Sequence, residues 1–125
     1  MTYVLPAGPS MSPMDALAFS PDFFKRKFPK YIKQMCDLSE KTTVLELILA
    51  DGITLDVVYF EEIDPKYLLV VAFTDSRNCE ETFHTYVRYE TILRINIINM
   101  DSIDRPVGFN PSHEPTHSDS ETQEA

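Results

Sequence analysis

Polar and apolar residues alternate through the middle of the chain with the period of two expected of a strand half-buried on a sheet. Leu45, Leu47 and Leu49 alternate with Glu46 and Ile48; after Asp51-Gly52 the pattern resumes at Ile53, Leu55, Val57 and Tyr59 against Thr54 and Asp56. Asp-Gly between two such runs predicts a tight hairpin with positive φ at both central positions. Ile63-Asp64-Pro65-Lys66 reads as a second turn, and Tyr67 to Phe73 as a strand apolar on both faces. Thr74 to Thr82 is a polar loop. Phe83 to Arg88 and Leu93 to Ile98 follow as the last two strands, parted by a corner at Tyr89-Glu90-Thr91. Ahead of the strands, Ser20-Pro21-Asp22 has the form of a helix start, with Ser20 as cap and Pro21 in the first helical position. Phe23, Phe24 and Phe28 continue that helix until Pro29, which predicts a break or kink, and Lys30 to Leu38 forms a second short helix.

Five strands in so short a stretch cannot leave the apolar second face of the third strand in water. The expected fold is therefore mainly β: a five-stranded, strongly bent barrel, closed or nearly so, preceded by a short N-terminal helix.

Charge divides the chain unevenly. Of the net −9, residues 101–125 carry −5 and residues 41–100 carry −5, while residues 1–40 carry +1. Residues 101–125 hold few apolar side chains and three prolines, which predicts an acidic tail without fixed structure. Residues 1–19, interrupted by Pro6, Gly8, Pro9 and Pro13, read as a disordered arm, leaving residues 20–100 as the folding unit. The first twenty residues lack the basic start and apolar stretch of a secretory signal, and the longest apolar run falls far short of a membrane span. A cytoplasmic-type compartment is expected, with no membrane. Cys36 and Cys79 have no spacing suited to zinc and read as reduced structural or loop residues.

Little in the chain suggests catalysis. His113-Glu114-Pro115-Thr116-His117 matches the zinc-protease pattern, but that chemistry needs a helix to bring both imidazoles to one face, and Pro111 and Pro115 oppose one. Three glycines cannot build a phosphate-binding loop. His84 has no nucleophile beside it in the sequence, and Glu61-Glu62 and Glu80-Glu81 fall in or next to loops. A non-enzymatic protein with no catalytic residues, metal or cofactor is expected. Lys25, Arg26, Lys27, Lys30 and Lys33, interleaved with Phe23, Phe24, Phe28 and Tyr31, form the sole basic cluster. It suits a nucleic-acid backbone or an acidic partner, or else an amphipathic helix whose aromatics cap the barrel while its lysines stay wet.

The run Val44-Leu45-Glu46-Leu47-Ile48-Leu49-Ala50-Asp51-Gly52-Ile53-Thr54-Leu55 resembles the first half of an Sm-type domain, the fold of Sm, LSm and Hfq proteins. Tyr86-Val87-Arg88-Tyr89-Glu90-Thr91-Ile92-Leu93-Arg94-Ile95 resembles that family's second motif, Asp64 falls near its acidic loop position, and the likeness covers about residues 30–98. The resemblance implies a nucleotide pocket at the rim of the barrel. Arg88 would contact single-stranded RNA there, Tyr67 or Lys66 would lie on the stacking side, and Tyr89 would offer a further face. It also implies homo- or hetero-oligomers joined through the strand edges 83–88 and 93–98. Two readings follow. One is a non-enzymatic Sm-like binding and assembly module associated with RNA, favoured by Arg88 and the basic helix. The alternative is a protein-only interaction or scaffold subunit with an SH3-like barrel and no nucleotide pocket. It is favoured by Leu68 near the family's Asn position, by Tyr89 in place of its Gly, and by the acidic balance.

Overall fold

The computed structural model describes residues 16–38 and 40–117, so most of the expected N-terminal arm and residues 118–125 lie outside the described part. Ser20 caps the helix as its sequence suggests: Phe23 N donates to Ser20 Oγ at 3.1 Å. The helix does not end at Pro29. Phe23–Lys27 forms a π-helical turn in which Phe28 N donates to Phe23 O, and α1 (Phe28–Leu38) continues from it. The wider turn relieves the contact between the proline ring and the preceding carbonyls that would break a regular α-helix, so the expected break becomes a bulge. Phe24, Phe28 and Ile32, spaced by four, are buried on one face. The rings of Phe24 and Phe28 meet Phe60 edge to face at 5.2 and 5.5 Å, joining helix to sheet.

The strands are β1 (Thr42–Leu49), β2 (Thr54–Ile63), β3 (Tyr67–Phe73), β4 (Thr82–Arg88), β5 (Ile92–Met100) and the two-residue β6 (Thr116–His117). The first five pair antiparallel in the order β4-β3-β2-β1-β5, and β6 adds parallel to β2. Leu45, Leu47, Val57, Leu68, Val70 and Ala72 form the fully buried inner face beneath the helix. The hairpin after β1 departs from expectation. Gly52 alone takes positive φ (90°), Gly52 N donates to Leu49 O, and Leu49 N donates to Ile53 O, which makes a three-residue loop ending in a glycine bulge. Asp51 Oδ1 accepts from Ile53 N at 3.0 Å and holds that loop in place of a left-handed residue.

The sheet is open. Among the described residues, β4 and β5 stand at opposite ends, each paired with one neighbour, and no ladder joins them. The two apolar faces of β3, which point to a closed barrel in the sequence, have a different explanation. Phe73 on the outer face lies under the guanidinium of Arg105, 5.3 Å from the ring centroid. Arg105 belongs to the segment that composition assigns to the tail, and the ordered unit accordingly runs past residue 100 to His117.

Residues 101–117 form a strap across the sheet. Arg105 is buried, and its Nη2 donates to both oxygens of Asp56 at 2.8 and 2.7 Å while Nε donates to Val107 O. The strap then bridges β1 and β2 beyond their last registered pair, Leu45 with Val57: Phe109 N donates to Thr43 O and Asn110 N to Val58 O. A Cβ at Gly108 would overlap Thr43 O, so glycine permits this close approach. Phe109 packs on Phe28 and Phe60. His113 stacks on Tyr59 at 3.8 Å. Two aromatic contacts, one buried ion pair and several backbone bonds thus hold a segment whose average composition is that of a solvated tail.

Candidate interaction surfaces

The turn between β2 and β3 and the corner after β4 lie together at one end of the sheet. Asp64 shapes the turn, its backbone N donating to Tyr67 O and its carboxylate accepting from Lys66 N at 2.8 Å. Tyr89, which begins the corner, donates its hydroxyl to Asp64 O at 2.6 Å and so ties corner to turn.

These contacts decide what each residue of the expected rim pocket is free to do. Tyr89 is 1% exposed and packs against Phe24, so it is a core residue with no face open to a ligand. Its phenol is held well above the ordinary tyrosine value by burial, with the negative charges of Asp64 and Glu62 adding to the effect. Leu68 is fully buried. Lys66 is exposed at the turn. Arg88 is exposed, but its Nη2 lies 2.7 Å from Glu90 Oε2. Tyr67 is half-buried, and its hydroxyl donates to Glu62 Oε1 at 3.2 Å. Tyr86, absent from the sequence-derived site, is 68% exposed, and its ring meets that of Tyr67 at 5.1 Å and 80°. Cross-strand register would have found it: Tyr86 faces Leu69, two residues from Tyr67 on the same face.

Glu90 titrates below the ordinary glutamate value, first through a hydrogen bond from its own backbone N–H and then through Arg88. Its small contribution to stability is therefore present above the ordinary glutamate value and lost as the pH falls through the lowered one. In Arg88→Ala, carboxyl-carbon NMR should show the Glu90 midpoint move up but remain below the ordinary value, because the backbone bond persists. An unmoved midpoint would mean the pair has no effect in solution.

On the basic helix, Arg26 pairs with Asp22 at 2.9 Å, Lys25 is half-buried, and Lys27, Lys30 and Lys33 are exposed. Phe24 and Phe28 turn into the core and Tyr31 stays outside, so the aromatics of this cluster mainly fasten the helix to the sheet. Lys25 and Lys33 also border a groove of about 390 Å³ whose floor includes Phe60 and Ile63 and whose far wall is the strap. His113 and His117 lie on that strap and not on a helix. No group of three or more metal-ligating side chains occurs among the described residues, and none of their helices is long and apolar enough to cross a membrane. Cys36 and Cys79 are free thiols, Cys79 at φ 54° in the loop between β3 and β4.

The two ends of the sheet form the other candidate surface. Phe83 on β4 is 40% exposed, and Leu93 and Ile98 on β5 are 61% and 39% exposed. Ile95 and Ile97 beside them are only partly covered by the core. Comparison of the chain with protein-family models, curated proteins and solved structures finds no match in any of the three.

Proposed function

We propose that this chain is a non-enzymatic assembly module whose subunits join edge to edge, β4 of one against β5 of the next. The observation that carries this reading is the pair of strand edges that no other described strand pairs, flanked by exposed Phe83, Leu93 and Ile98. Such edges are a template for pairing, and proteins that stay monomeric blunt them with proline, charge or cover. Neither strand contains proline, and each has one fixed charge, Arg88 or Arg94. Joining two different edges is a heterologous contact, which closes into a ring or continues as a filament according to the rotation between subunits. The Sm-like motifs support the same arrangement, since that family joins its fourth strand to the fifth of a neighbour.

Between the two functional readings, protein-only assembly has the stronger support. Arg88 is already engaged by Glu90, Leu68 has no polar group with which to read a base edge, and Tyr89 is enclosed by the core. Sedimentation at tens of micromolar tests the proposal. The full chain should run as a multi-subunit particle, and Phe83→Lys or Ile98→Lys should shift it to monomer, with circular dichroism checking that the fold is kept, because the two side chains are only 40% and 39% exposed. A monomeric wild-type chain, or particles indifferent to both substitutions, would overturn it.

A further inference from the structure

The rim that the sequence points out as a nucleotide pocket has the wrong charge for one. Around it stand three carboxylates, Glu62, Asp64 and Glu90, against two fixed cations, Lys66 and Arg88, while Glu61 is held by His84 at 2.8 Å. Arg88 lies on Glu90. Phosphate is disfavoured in such a field and a cation is favoured.

The aromatic geometry points the same way. The Tyr67 and Tyr86 rings stand at 80° with centroids 5.1 Å apart, so they form two walls of a corner. The π-faces of both rings carry negative charge density, and a cation seated in the corner meets both. Glu62 lies at the end of one wall, bound to the Tyr67 hydroxyl. The Tyr67 phenol is raised above its ordinary value, first by partial removal from water, then by that bond, then by the fields of Asp64 and Glu62. At 68% exposure Tyr86 keeps the corner open to a partner.

We propose that the corner between Tyr67 and Tyr86, with the Glu62 carboxylate at one side, is a docking site for an arginine side chain carried on an exposed basic segment of a partner protein. Arginine suits it because a planar guanidinium stacks on one ring while its N–H groups reach the carboxylate, which a spherical ammonium does less well. Tyr86 belongs to the edge strand β4, but its ring projects from the face of the sheet and takes no part in backbone pairing along the edge. The site therefore goes beyond the edge-to-edge reading and stands without it.

A titration of the full chain with the probe N-acetyl-(Arg-Gly)₃-amide, followed by amide NMR shifts, tests the proposal. The expected result is saturable shifts centred on Glu62, Tyr67, Leu69 and Tyr86 that weaken as salt is raised. Tyr86→Ala should lower the affinity about fivefold, the loss expected of one exposed cation–π contact. Tyr86→Phe should retain it, since the ring and not the hydroxyl is needed, and Glu62→Gln should weaken it. Tyr86 is solvent-facing, so its substitution leaves the fold intact. No shift at millimolar peptide, or equal affinity for Tyr86→Ala, would overturn the site. Equal or tighter binding of the same peptide with lysine or trimethyl-lysine in place of each arginine would overturn the choice of arginine. Tetramethylammonium binding without peptide binding would replace the protein partner with a small cation, and oligo-uridine shifting these residues in place of the peptide would restore the nucleotide reading. Sedimentation of Tyr86→Ala reports edge assembly separately, so each proposal fails by its own measurement.

Discussion

Replacing Arg105 with alanine is expected to lower the unfolding free energy by about 3 to 5 kcal/mol, the cost of leaving one member of a buried ion pair without its partner. Arg105 and Asp56 have side chains only 7% and 10% exposed, and Nη2 holds both carboxylate oxygens. With the strap still in place over it, Asp56 would be left without its partner in a site that water barely reaches. Arg105 also covers the Phe73 ring, so packing is lost with the charge. The pair itself contributes much less than its rupture costs, because removing both charges also removes both desolvation penalties. Arg105→Met combined with Asp56→Leu should therefore recover most of the lost stability. Urea unfolding followed by circular dichroism measures both; a midpoint unchanged in Arg105→Ala would show that the pair is not buried in solution.

The sequence made the strands legible and the covering of the sheet illegible. Alternation located β1 and β2 because each has one face on the helix side and the other toward solvent or the strap, so period two survives in the residues. The bounds of β3, Tyr67–Phe73, agree with its apolar run because a turn held by Asp64 and a polar loop end it on either side. Pro29 misled because local rules treat the helix as regular, and the π turn before it depends on how Phe24 and Phe28 pack on Phe60. Arg105 misled for a deeper reason. A charge in a Pro- and Asp-rich stretch reads as solvated, and its partner Asp56 lies 49 residues earlier in an ordinary outward position of an alternating strand. Neither residue carries a local signal of the other.

The candidate site was legible by position but not by availability. Motif likeness gathered Lys66, Tyr67, Arg88 and Tyr89, and all four do fall around the β2–β3 turn and the β4 corner. Whether a residue at such a rim points out or in depends on tertiary packing: Tyr89 fills the core while Tyr86, three residues earlier, stands in water. The acidic balance of the whole chain carries over to the rim. The cations cluster on the helix, and the rim near Tyr67 is left acidic, which turns a pocket expected for a nucleotide toward a cation.

Ending the chain at Met100 is expected to cost on the order of 5 kcal/mol, a large share of the ~5 to 15 kcal/mol that stabilises a domain of this size. Such a chain loses the Phe109 ring packed against Phe28 and Phe60, the backbone bonds to Thr43 and Val58, and the cover over Phe73 and Tyr59. Burial of one phenylalanine accounts for most of the loss. The Asp56 carboxylate adds less here than in Arg105→Ala, because removing the strap returns it to water, where its charge is solvated. Ending the chain at His117 retains every contact described for the strap and should leave the midpoint of urea unfolding within error of the full chain. The two deletions together locate the stabilising segment between residues 101 and 117. Equal stability of the two shortened chains would mean that the strap adds nothing to the fold, whereas a cooperative transition in the His117 chain alone would establish it as part of the folding unit. Gly108→Val in the full chain separates sequence from length: its Cβ must displace Thr43 O or lift the strap, so it should reproduce part of the loss without removing a residue.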